Sequence, residues 1–247
     1  MIVTKTDRNY FVNGDKTRWP SVTQVLGVIN KPALNYWIQN ESIKLIEEYL
    51  KTLKHTRIFV TEAAIAEIVK KAKERPDKLK QEAGDIGTKT HQAIEAFIKT
   101  GITQVDKEIE APFNSFLMYW ESHKIKVLGT EISVCSKEHG YVGTIDLLAE
   151  DDTGVFIGDY KTSKSGVYAE NALQLGGYAQ ALSETKGIPL NTIGGKIFWL
   201  NKLEPEFKPY IVPDMPKTIH GYLGALTLFN SLKLDLLKEE QGGKLVW

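Results

Sequence analysis

Three short segments rich in β-branched and aromatic residues follow one another without a helix between them, at 127–135, 141–149 and 155–161. That brevity and spacing predict three sequential, mostly antiparallel strands. Both flanks read as helix. To the C-terminal side, helical periodicity runs over 168–184, a further strand over 193–200, and a closing helix with an apolar stripe over 219–237. Such an order predicts an α/β (α+β) fold, a central mixed sheet flanked by helices.

The N-terminal half is an expected helical elaboration. Tyr10–Val12 followed by Asn13-Gly14 reads as a hairpin, because Asn-Gly tolerates the positive φ angles of a type I′ turn. Ser21-Val22-Thr23-Gln24 has the form of a capping box, with Ser and Gln satisfying the free amides of a helix start. Pro32 restarts a helix over 33–53, another is predicted over 63–73, and Thr88 caps a third that ends near Gly101, with His91 in its first turn. A further amphipathic helix is expected at 109–123. The whole chain, 1–247, is expected to be one domain, with 1–125 mainly helical and able to form a lid or arch and 126–247 the sheet core.

Composition narrows the chemistry. Lys plus Arg and Asp plus Glu both total 31, so no net field steers the chain toward nucleic acid and any such attraction must be local. The basic run Lys70, Lys71, Lys73, Arg75, Lys78 and Lys80 is either a solvated helix face or a phosphate-contacting edge. One cysteine, Cys135, excludes an internal disulfide, a four-cysteine zinc site and a cysteine-held iron-sulfur cluster. No stretch approaches the roughly 20 apolar residues of a membrane span, and the N-terminus has no apolar run of signal-peptide length. The chain is therefore expected to be soluble, cytoplasmic and away from the membrane. No phosphate-binding loop of the ATPase type occurs, nor any internal repeat.

Two acids interrupt apolar strands. Asp159 and Lys161 end the run Val155-Phe156-Ile157-Gly158, and strand alternation points both to one face. Alone, that pair reads far more readily as a salt bridge at a strand end. One hairpin earlier, Asp146 sits inside Gly143-Thr144-Ile145-Asp146-Leu147-Leu148, so two carboxylates and a lysine can converge. Mg²⁺ or Mn²⁺ takes oxygen ligands, and two carboxylates suit a metal that polarises a phosphoryl oxygen and acidifies a bound water. Lys161 would then orient that water or offset developing charge. Glu131, on the strand before, is either a further catalytic acid or a solvated edge residue. Gln174 and Tyr178 share a helix face at i and i+4 and could bind substrate, though the spacing is ordinary for a surface helix.

GTIDLL, then IGDYKTSK, then QLGGY, together resemble the RecB-type branch of the PD-(D/E)XK nuclease superfamily. The resemblance implies a restriction-endonuclease-like core and a catalytic set of Asp146, Asp159 and Lys161, with Glu131 beside them. It further implies a metal held by His91, Asp146 and Asp159, because Gly87-Thr88-Lys89-Thr90-His91 fits an upstream G-x-x-x-H helix. Gln174 and Tyr178 match a QxxxY element. The opening PSVTQVL, followed by Trp37, is also similar to the mitochondrial genome maintenance exonuclease and to phage and bacterial exonucleases. The implied activity is metal-dependent hydrolysis of phosphodiester bonds in DNA, on single strands or free ends, with Lys70, Lys71 and Lys73 as candidate DNA contacts. An endonuclease, a duplex-specific recombination exonuclease and a non-catalytic DNA-binding module stand as alternatives.

Overall fold

A computed structural model describes residues 3–6, 9–12, 19–54, 60–163 and 166–233. Strands β1 (Val3–Thr6) and β2 (Asn9–Val12) form a separate antiparallel hairpin. The strand expected at Tyr10–Val12 is present, but its partner lies upstream; Asn13-Gly14 falls outside the described residues. Helix α1 (Val22–Val25) begins with the expected capping box: Gln24 N–H donates to Ser21 Oγ at 3.2 Å and Ser21 N–H to Gln24 Oε1 at 2.9 Å. Val142 N–H donates to Pro20 O at 3.0 Å, which seats this start against the main sheet.

Helix α2 (Pro32–Leu53) runs against α3 (Glu62–Thr100). Here the sequence reading needs correction, because α3 is one helix of 39 residues, continuous through Pro76, Gly84 and Gly87. Its true start is capped by Thr61, whose Oγ1 accepts from Ala64 N–H at 3.2 Å, and it ends on Gly101 in the left-handed conformation. Thr88 is an interior residue whose hydroxyl donates to Gly84 O at 3.0 Å, so His91 is far from any first turn. Glycine weakens a helix by about 1 kcal/mol, which packing readily overrides. Gly87 is used for approach: a Cβ there would lie 3.2 Å from Thr162 Oγ1, just beyond the end of a core strand.

The sheet follows the order β3 (Lys126–Ser136), β4 (Tyr141–Asp151), β5 (Gly154–Lys161), β6 (Ile193–Leu200), β7 (Phe207–Ile211). Strands β3, β4 and β5 are antiparallel neighbours, β5 and β6 are parallel, and β6 and β7 antiparallel. The parallel step needs a crossover, supplied by α5 (Ala169–Lys186). Strand β7 was missed by periodicity. It is an exposed edge carrying Pro209, a residue an edge strand accommodates.

One face of the sheet, through Val134, Ile145, Ile157 and Ile197, packs on α1, α5 and α6 (Met215–Ser231). The other, through Leu147, Phe156, Tyr160 and Phe198, packs on the last turns of α3 and on α4 (Glu110–Ser122). The closing helix thus starts four residues before its expected beginning at Ile219, and its expected end beyond 233 lies outside the described residues.

Helices α5 and α6 touch through glycine. A Cβ on Gly176 would lie 2.6 Å from the carbonyl carbon and oxygen of Thr218, backbone that cannot swing aside. Gly176→Ala therefore gains about 1 kcal/mol of helix propensity and loses more to overpacking, about 1–3 kcal/mol. A lowered thermal midpoint is expected, by roughly 2–4 °C for each net kcal/mol lost, and a midpoint at or above the parent's would refute this packing.

Candidate active site

The regular pleat of the sheet fails at Asp146, and the site is built on that failure. Along β4, Tyr141 and Ile145 face α5 and α6, whereas Leu147 and Ala149 face α3 and α4. All four are odd-numbered, so alternation inverts between Ile145 and Leu147. Pairing of β4 with β5 stops at Leu147↔Gly158. Past that point the Asp146 carboxylate takes the place of a strand carbonyl, its Oδ2 accepting from Tyr160 N–H at 3.0 Å.

Glu131 lies across from Asp146, between the pairs Thr130↔Leu147 and Ile132↔Ile145. Its φ is +50°, and it is the one non-glycine residue with positive φ among those described. Left-handed backbone at a non-glycine, non-asparagine position carries strain, about 1–3 kcal/mol, and such strain concentrates at functional sites. The same twist turns the Glu131 side chain toward the cleft that Asp146 lines.

From the other side comes α3. His91 Nε2 sits 3.0 Å from Tyr160 O, and its Nδ1 lies 3.5 Å from Asp146 Oδ2. The imidazole meets the Tyr160 ring edge to face at 5.5 Å. One ligand atom from each of His91, Glu131 and Asp146 falls within 4.8 Å of the other two, a spacing a divalent cation can bridge. A similar group, Glu138, His139 and Glu184, is less free to bind: Glu184 already accepts from Ser136 Oγ, Gln180 Nε2 and Glu138 N–H.

Behind this cluster lies a chain of polar contacts. Asp159, only 1% exposed, has Oδ2 at 2.6 Å from Lys161 Nζ, and its Oδ1 accepts from Gln174 Nε2 at 3.1 Å. Gln174 Nε2 also donates to Tyr178 Oη at 2.9 Å, and Gln174 Oε1 accepts from Lys161 at 3.2 Å. Tyr178 can press against β4 because position 143 is glycine; a Cβ there would sit 2.6 Å from its ring.

The electrostatics separate the two acids. Burial pushes the Asp159 carboxyl up, with the Asp146 charge adding to it and Lys161 pulling against it. Asp146, less deeply placed because it borders the cleft, is also pushed up by desolvation, yet the bond and charge of His91, with Lys161 and Tyr160 N–H, hold it below the ordinary 3.8. Burial lowers His91, but Asp146 and Asp159 together carry it above the ordinary 6.5. In this form the site keeps Asp146 anionic, the state a metal ligand needs.

His91, Glu131, Asp146 and Tyr178 border one cleft of about 430 Å³, shared with Gln92, Glu95 and Thr144. Asp159, Lys161 and Gln174 adjoin it as a connected group. Lys70, Lys71 and Lys73 are not brought here: Lys71 is 20 residues before His91 on α3, about 30 Å along the axis. Lys71 pairs with Glu67 at 2.6 Å and Lys70 with Glu74 at 4.0 Å, while Arg75 is spent on Glu48 of α2. Sequence reasoning missed Tyr160, whose main chain joins Asp146 to His91. A backbone role leaves no residue-type signal. Gln92 and Glu95 were findable, one position and one turn beyond His91.

The sequence model of the PD-(D/E)XK nuclease superfamily matches residues 115–240, about half of the chain. This chain belongs to the PD-(D/E)XK nuclease superfamily. The matched span holds Glu131, Asp146, Asp159, Lys161, Gln174 and Tyr178, and the helix bearing His91 lies before it. Nucleases of this superfamily use divalent metals, and the His91, Glu131 and Asp146 cluster has the donor set for one. No curated protein matches the chain. Among solved structures, a crystal structure of SSO0001 is 12% identical over 79% of this chain and 86% of that one, with a TM-score of 0.33. Among the described residues no helix is long and apolar enough to cross a membrane.

Proposed function

We propose that the chain is a metal-dependent deoxyribonuclease acting as an exonuclease on single-stranded DNA or free DNA ends. The observation that carries the reading is the convergence of His91, Glu131 and Asp146 within 4.8 Å beside the paired Asp159 and Lys161. Mg²⁺ or Mn²⁺, held by His91, Asp146 and Glu131 with Asp159 adjoining, would supply Lewis acidity and a nucleophilic water.

The chain's own residues do the rest. Asp146 stays ionised and fixes the imidazole of His91. Lys161, gripped between Asp159 and Gln174, presents its ammonium where charge builds on the scissile phosphate, and being already positioned it pays no reorganisation cost during reaction. Gln174, itself bonded to Tyr178, holds that lysine in place, and Tyr178 borders the bound strand.

Single-strand selection is proposed to come from α2 and α3. A 39-residue helix is about 58 Å long; in this reading its N-terminal turns and α2 would make an arch through which a strand, not a duplex, could thread. If Lys70, Lys71 and Lys73 touch phosphates, replacing all three with alanine should weaken DNA binding and lessen the slope of log affinity against log salt by about 0.7 for each lost contact. An unchanged slope would leave them as surface lysines that merely solvate the fold.

The direct test is digestion of end-labelled single-stranded, duplex and circular single-stranded DNA with Mg²⁺, Mn²⁺ or EDTA. Metal-dependent loss of linear single strands is expected. Cutting of circles would replace the exonuclease reading with an endonuclease, and binding without cutting would replace it with a binding module.

A further inference from the structure

The cleft over the metal cluster does not stop at His91. Gln92, next along α3, borders it and also borders a second pocket of about 420 Å³ between α3 and the segment leading into α4. That volume lies within the range of pockets that seat small ligands, about 300–1,000 Å³. The second pocket is lined by Gln92, Gln104 and Asp106, and by apolar Val105 and Ile109.

Its chemistry disfavours phosphate. Lys89 is the one cation lining it and is ion-paired with Glu108, so the local balance of Lys89, Asp106 and Glu108 is one positive charge against two negative. Asp106 begins a short 3-10 turn without capping it, so its side chain is not spent on the turn, and the residue lines the pocket. Two carboxamides offer donors and acceptors together, the carboxylate offers acceptors for an amino group, and the apolar residues offer a surface for a ring. Those are the groups by which side chains read base edges.

We propose that this pocket receives a nucleobase of the strand whose phosphodiester lies over His91, Glu131 and Asp146, and that Gln92, Gln104 and Asp106 read its edge. The inference rests on the nuclease reading above. Asp106 would accept from a base N–H, an exocyclic amino group or a ring imino N–H. The base is held to one side of the backbone while the adjoining phosphate stays in the metal cleft, so the pocket sets the register of the cut.

The test walks a single abasic site along a short end-labelled single strand and measures kcat/KM for the parent and for Gln104→Ala combined with Asp106→Ala. Both positions are exposed, and an unchanged thermal midpoint checks folding. Expected for the parent is a loss of about tenfold, mainly in KM, at one position near the cut and little elsewhere. The double variant should lose about the same on the intact strand and nothing further when that position is abasic. A flat abasic scan, or losses in the variant that simply add to those of the abasic site, would overturn the base pocket and leave the nuclease standing. A parent that neither cuts nor binds any nucleic acid would overturn both.

Discussion

Asp146→Asn is expected to lower metal-dependent cleavage by about a thousandfold, equivalent to roughly 4 kcal/mol of transition-state stabilisation. The substitution is close to isosteric, and the asparagine carbonyl can still accept from Tyr160 N–H, which Asp146 Oδ2 holds at 3.0 Å. What disappears is the anion between His91 and Glu131. Metal affinity should fall with activity while the fold persists, measurable as Mn²⁺ binding by calorimetry beside the rate. A second readout follows from His91, whose imidazole is pulled down by burial and carried above 6.5 chiefly by Asp146. A histidine raised on folding stabilises fully below its unfolded value, and that stabilisation is lost as pH rises through the folded one. In EDTA, the parent's thermal midpoint should therefore decline from about pH 6.5 upward more steeply than that of Asp146→Asn. Equal slopes would show that Asp146 does not hold the His91 proton, and parental cleavage by the variant would remove Asp146 from the metal site.

The sequence carried the sheet further than the helices. Strands β3 to β6 lie within two residues of where β-branched runs placed them, and for β4, β5 and β6, which are largely buried, the reason is that buried strands must be apolar whatever surrounds them. Same-face placement of Asp159 and Lys161 followed from alternation alone and agrees with their 2.6 Å separation. Punctuation by glycine was misleading in α3. Gly84 and Gly87 look like a break, yet the helix runs on, and Gly87 serves a close approach to Thr162 that no local rule encodes. Asp146 is visible as an acid in an apolar strand, but not the inversion of alternation that turns it. The positive φ of Glu131 is likewise set by its partner strand, and glutamate gives no hint of it. Polar contacts across elements, Tyr160 with Asp146 and His91, involve main-chain atoms that every residue shares. A periodicity reading cannot rank them.

Lys161→Ala should reduce cleavage by about 10²–10³-fold, the scale on which a preorganised charge at a reacting centre acts. Its effect is predicted to differ in kind from that of Asp146→Asn. Lys161 Nζ lies 2.6 Å from Asp159 Oδ2, and the lysine charge is what opposes the upward push of burial on that carboxyl. Removing it leaves Asp159 buried beside anionic Asp146, so its carboxyl moves higher still and takes up a proton over a wider range of pH. The variant's residual rate should then rise with pH across a range where the parent's is flat, and its Mn²⁺ affinity should recover as pH increases. Gln174→Leu separates the lysine's charge from its placement. Gln174 touches both Lys161 and Asp159, yet carries no charge, so its loss should cost about 10–100-fold, in kcat more than in KM, without the steep pH response. Cleavage by Lys161→Ala at the parental rate would remove the lysine from the chemistry. A pH profile parallel to the parent's would instead mean that Asp159 keeps its charge without Lys161, leaving Gln174 as the group that holds it.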